Sequence, residues 1–136
     1  MIVITCVDQK NGLAFNGRRQ SRDRMVAVDI LRESAGRRLW MPPGSRQLFP
    51  AEAEISVVPD CLDRAGAGEI CFAEGRLLGP WADRMEGMIL YRWDRVYPAD
   101  LHLDVVPAPP AWHLVYAGEV KGFSHQKIEK EVYVRW

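Results

Sequence analysis

Across the first seven residues every position but Thr5 is apolar, and Ile2, Val3, Ile4 and Thr5 are β-branched in succession. An apolar run without alternation is how a strand covered on both faces reads, so residues 1–7 are expected at the centre of a sheet. Residues 8–20 carry Asn11, Gly12, Asn16 and Gly17 and read as a loop. A helix is expected over 21–35, where Ser21 is placed to cap it, Met25, Val26, Ile30 and Leu31 recur near helical spacing, and Gly36 stands where it would end. Residues 38–41 form a short strand stopped by Pro42-Pro43-Gly44, with one further helical turn over 45–49.

Short strands follow at 54–58 and 69–73, joined by a polar connection, and an irregular helix over 75–83 that contains Pro80. Residues 87–93 read as another strand. Pro107, Pro109 and Pro110 mark a loop. Strands at 112–119 and 127–136 close the chain; in the second, Ile128, Val132 and Val134 alternate with Lys127, Glu129, Glu131, Tyr133 and Arg135. Strands alternating with helices and then a closing hairpin predict an α/β fold: a mixed, mostly parallel central sheet with flanking helices and a C-terminal antiparallel hairpin. At 136 residues the chain reads as a single domain over 1–136, large enough for a core without staples.

Charge narrows the partners. Lys+Arg and Asp+Glu balance at 18 each, so no global field attracts nucleic acid or an acidic membrane. No run approaches the roughly 18 apolar residues of a membrane helix, and residues 1–6 are too short and uncharged for a leader. Cys6, Cys61 and Cys71 are odd in number, lack C-x-x-C spacing and sit in or beside apolar runs. They read as free thiols of a cytoplasmic protein. His102, His113 and His125 are far apart in sequence and show no metal spacing, so no metal is expected. Arg18, Arg19, Arg22 and Arg24 make a basic cluster suited to an anion or to solvent. Five tryptophans exceed the needs of a small core and suggest a homo-oligomer or partner surface, with Trp40 and Trp112 the best fits to the core.

The order of elements resembles the dihydrofolate reductase family. Residues 4–17, ITCVDQKNGLAFNG, are similar to its opening strand and x-V-D-x-x-x-G-(I/L)-x-x-(N/D)-G loop. RRLWM (37–41) stands where that family has its second strand, and YRWDRVYPADLHL (91–103) resembles its T-x-I-D-x-x-Y-x-A-D-x-x-F stretch. WHLV (112–115) and GFSHQKIEKEVYVR (122–135) resemble its closing hairpin. The resemblance implies a cleft lined by Cys6, Val7, Leu13, Val26, Ile30, Phe72 and Tyr91.

At the family's working positions the chain departs from it. Val26 occupies the place of the pterin-binding carboxylate, and Tyr91 that of the threonine supporting it. Pro42 and Pro43 fall in the phosphate-binding segment and lack N–H groups, and Ala73-Glu74 replaces the paired glycines beside the nicotinamide. The segment between the 54–58 and 69–73 strands is also short for the usual adenosine side. The expectation is a non-reductase of this fold, with no catalytic residue and no cofactor, binding a pterin-like or other small ligand. Two alternatives stand beside it. One is an NADPH-dependent reductase with its acid relocated to Asp23 or Asp29, though Asp23 in a first helical turn suits the dipole and Asp29 is expected in solvent. The other is a protein-interaction module using exposed Trp and Arg.

Overall fold

In the computed structural model, whose described residues are 1–135, the chain passes through β1 (Ile2–Val7), β2 (Gly12–Phe15), β3 (Arg18–Arg19), α1 (Arg24–Glu33), β4 (Leu39–Met41) and α2 (Pro43–Arg46). It continues through β5 (Ser56–Val57), α3 (Cys61–Arg64), β6 (Ile70–Phe72), a 3₁₀ helix (Gly79–Arg84), β7 (Gly87–Arg92), β8 (Leu101–His102), β9 (Trp112–Val120) and β10 (Ile128–Arg135). A seven-stranded sheet has the order β5-β4-β6-β1-β7-β10-β9. β1 is its middle strand and pairs in parallel with both β6 and β7. β10 runs antiparallel to β7 and to β9, which forms one edge. The fold is therefore α/β: a mixed, mostly parallel sheet with helices and a C-terminal antiparallel pair.

Period-two alternation divides the core between the two faces of this sheet. Ile4 and Cys6 of β1, Phe72 of β6 and Ile89 and Tyr91 of β7 pack with Val26, Ala27 and Ile30 of α1. Val3, Val7, Cys71, Met88 and Leu90 face the other way, with Leu13, Ala14, Cys61 and Leu62. Each fully buried Val, Leu, Ile, Phe or Met side chain among them contributes roughly 1.5–3 kcal/mol. Trp40, Trp93 and Trp112 are also buried. Among the described residues, no helix is long and apolar enough to cross a membrane.

Three local readings are corrected. Asp23, not Ser21, caps α1: its φ of −152° is extended and its carboxylate accepts from Met25 N at 2.8 Å. The expected loop over 8–20 contains β2 and β3, which with β8 form a second, three-stranded sheet. That sheet is held against the chain by Asp8, whose carboxylate takes the N–H groups of Lys10, Gly12 and Tyr97 and the Gln20 amide. A Cβ at Gly12 would lie 2.6 Å from both Asp8 Oδ2 and Gln20 Nε2, so a larger residue here would displace the Asp8–Gln20 contact. The polar connection after β5 contains α3, and Trp136, the last residue of the expected terminal strand, lies outside the described residues.

Candidate functional site

The N-terminal half of α1 stands over the ends of β1 and β6, and between them lies a cavity of about 410 Å³. Its floor is apolar: Cys6, Val26, Ala27, Ile30, Phe72 and Trp93, with Phe49 from the segment after α2. Its mouth carries Ser21, Arg22, Arg24, Gln47, Glu74 and the Phe123-Ser124 pair of the β9–β10 connection. Burial raises the Cys6 thiol pKa far above its ordinary value, and the Glu74 charge adds to this, so the floor presents a neutral SH.

Of the seven residues the resemblance assigned to a cleft, this cavity brings together Cys6, Val26, Ile30 and Phe72. Val7 and Leu13 belong to the core on the opposite face of the sheet. The reason is the pleat: neighbours Cys6 and Val7 point to opposite faces and cannot line one cavity. Tyr91 lies on the α1 face but outside the cavity lining, its hydroxyl donating to Asp29 Oδ2 at 2.6 Å. Burial first, then Asp29, raises the Tyr91 pKa well above the usual phenol range.

Asp29 is not solvated, as the sequence suggested, but buried. Besides Tyr91 it meets Lys130 Nζ at 2.6 Å and Arg32 at 3.2 Å, and Lys130 also pairs with Glu33 at 2.7 Å. A carboxylate held by an ammonium, a guanidinium and a phenol is compensated within the fold. This network faces β7 and β10 and leaves the cavity without the Asp29 carboxylate.

Asp23 is the polar centre of the site. Its side chain has no exposure to solvent. Phe123 N donates to both its oxygens at 2.9 and 3.0 Å, and Ser124 N, His125 N and Ser124 Oγ reach Oδ2 at 2.9, 3.0 and 3.1 Å. His125 Nδ1 lies 3.0 Å from the same oxygen. Burial alone would raise the carboxyl pKa, but the Phe123 and Met25 N–H groups, the His125 imidazole and the His125 N–H together hold it well below the usual carboxylate range. Asp23 is thus an ionised anchor joining the N-terminus of α1 to the β9–β10 connection.

With an ionised carboxylate against Nδ1, that nitrogen carries the proton and Nε2 accepts, an assignment set by the partners. Two hydroxyls converge on Nε2: Ser21 Oγ at 3.0 Å and Tyr97 Oη at 3.1 Å. The imidazole is stacked on Trp93, ring centres 4.7 Å apart and 26° from parallel. No local pattern announces this cluster, because Ser21 and His125 are 104 residues apart.

The positions where the resemblance sets a phosphate-binding segment are paired within the chain. Glu74 accepts from Arg19 Nη2 at 2.7 Å and from Ser45 Oγ at 2.8 Å, and Arg19 also reaches the Gly44 carbonyl at 2.8 Å. This bridge ties β3 to α2 and to the segment after β6. Pro42 and Pro43 form the start of α2, and Ala73 is buried with its N–H on the Ile4 carbonyl. Arg46 donates to the carbonyls of Phe49, Pro50, Ala51 and Ala53, and Arg76 stacks over Trp81. Arg24 stacks over Phe123 at 4.4 Å, while Arg18 lies in β3. Among the described residues, no group of His, Cys, Asp and Glu is arranged to hold a metal ion.

No protein-family model and no curated protein matches this chain.

Proposed function

We propose that the chain is a ligand-binding domain of dihydrofolate-reductase-like architecture that does not act as a reductase, its ligand a pterin-like or other small planar molecule. The observation that carries this reading is the α1 cavity: about 410 Å³ with an apolar, partly aromatic floor and Arg22 and Arg24 at its mouth. That volume suits a small ring system, and the guanidinium groups suit an anionic substituent on it.

The acid–base side of a reductase has little support. Val26 stands where the resemblance puts the proton-delivering carboxylate. Asp23 faces the cavity but holds too many donors to carry a proton at neutral pH, and Asp29 is engaged with Lys130 and Tyr91. On the cofactor side, the Arg19–Glu74–Ser45 bridge sets a carboxylate where a dinucleotide diphosphate would need backbone N–H groups. The interaction-module and homo-oligomer readings rest on tryptophans outside the expected core pair Trp40 and Trp112; of these, Trp93 is buried and Trp81 half-buried.

Thermal unfolding with folic acid, simple pterins and NADPH tests the proposal. A ligand at 100 times its dissociation constant stabilises a fold by about 2.7 kcal/mol. Stabilisation is expected from the ring compounds and not from NADPH. Oxidation of NADPH with dihydrofolate at about 1 s⁻¹ or faster, within the ordinary enzyme range, would return the chain to the reductases.

A further inference from the structure

Ser21, His125 and Asp23 have a geometry beyond that of a structural tie. Holding the β9–β10 connection to α1 needs only Asp23, the loop N–H groups and Nδ1 of His125. The far side of the imidazole does something else: Nε2 meets the hydroxyl of Ser21, a partly exposed residue at the mouth of the cavity, at 3.0 Å. The order hydroxyl, imidazole, buried carboxylate, with both links at 3.0 Å, is the arrangement that activates a serine. Asp23 fixes the tautomer and can balance an imidazolium, and Trp93 fixes the plane of the ring.

We propose that Ser21 is a nucleophile, with His125 its general base and Asp23 the positioning carboxylate, and that the cavity accepts small carboxylic esters. The inference rests on the cavity being a ligand site. Ser21 Oγ attacks the acyl carbon and its proton passes to Nε2. The resulting oxyanion forms at a mouth that carries Arg22. When it collapses, the acyl C–O bond to the alcohol breaks, and the leaving oxygen takes the proton from Nε2. Water then attacks the acyl carbon attached to Ser21, losing a proton to Nε2. The bond to Oγ breaks, Ser21 regains its proton, and the carboxylic acid departs. The sum is ester plus water giving acid plus alcohol, with no change of oxidation state.

A fluorophosphonate probe, which phosphonylates activated serines, tests this on the intact protein by mass spectrometry with peptide mapping. One adduct is expected, on Ser21, absent in Ser21→Ala. His125→Ala should form it about 10²- to 10⁴-fold more slowly, the usual loss with a general base. Because that variant also loses a loop contact, Tyr97→Phe gives a second readout. It removes the hydroxyl that competes with Ser21 for Nε2, so the adduct should form at least as fast as in the wild type. No adduct on Ser21 in folded wild-type protein, or a rate unchanged in a folded His125→Ala, overturns the proposal. Absence of an adduct while folic acid still stabilises the fold removes the nucleophile and leaves the ligand site standing. An adduct without stabilisation by any ring compound supports the nucleophile and removes the pterin class.

Discussion

Asp23 shows how one side chain can serve several elements. It caps α1, receives three loop N–H groups and fixes the His125 ring. Asp23→Ala removes a cap, worth about 0.5–2 kcal/mol, and strands donors whose loss costs about 1–3 kcal/mol each. A destabilisation of about 3 kcal/mol or more is expected in urea unfolding. Asp23 also sets a pH dependence. Its folded pKa lies below the unfolded value of about 3.9, so its contribution is fully present above that pH and is lost as pH falls toward the folded value. The urea midpoint should therefore drop as pH falls from 5 to 3 (about one unit either side of the unfolded pKa), and less so in Asp23→Ala. Val26→Asp has the opposite sign. A carboxyl on the apolar floor would have its pKa raised, so that variant should lose stability as pH rises above about 4 toward the raised pKa. Val26 was legible from the sequence because it falls at a defined interval after Asn16-Gly17. The tie of Asp23 to the β9–β10 connection was not, because Phe123 lies 100 residues further along the chain.

Elements with a strong pattern were read nearly to their ends. β1, β7 and β10 have apolar runs or alternation long enough to declare their period, and each begins or ends within a residue or two of its expected limit. β3 and β8, at two residues each, are too short to have a period, and β2 lies among Gly and Asn that signal turns. Pairing between distant segments, not local propensity, makes them strands. The β9–β10 connection is similarly set by contact. A Cβ at Gly122 would press on the His125 carbonyl and stand 2.9 Å from Asp23 Oδ2. Gly122→Ala is therefore expected to cost about 1–3 kcal/mol by forcing the loop off its anchor. The measurement is urea unfolding, with loss of the Trp93–His125 stack visible in near-ultraviolet circular dichroism. In β1, Ile4 is fully buried beneath α1, and Ile4→Ala should cost about 2–5 kcal/mol in the same assay.

Across the fold, the central place of β1 followed from its run of apolar residues, and the mixed sheet with its closing hairpin followed from the order of elements; the order of the remaining strands comes from the structure. The site was legible only in part. Cys6, Val26, Ile30 and Phe72 meet at one cavity because they share the α1 face of the sheet. The hydroxyl–imidazole–carboxylate cluster beside them depends on the C-terminal hairpin folding back to α1, which no local pattern announces. Under the proposed function, ligands enter this cavity and leave the Arg19–Glu74–Ser45 pairing undisturbed. Amide hydrogen exchange with and without folic acid, and with and without NADPH, tests it most directly, because protection reports where a ligand is held. Folic acid-dependent slowing is expected, confined to the N-terminal half of α1, residues 47–49 and the 122–125 connection, with no change on adding NADPH. Protection by NADPH across α2 and the segment after β6, or none at α1 with saturating folic acid, would contradict it.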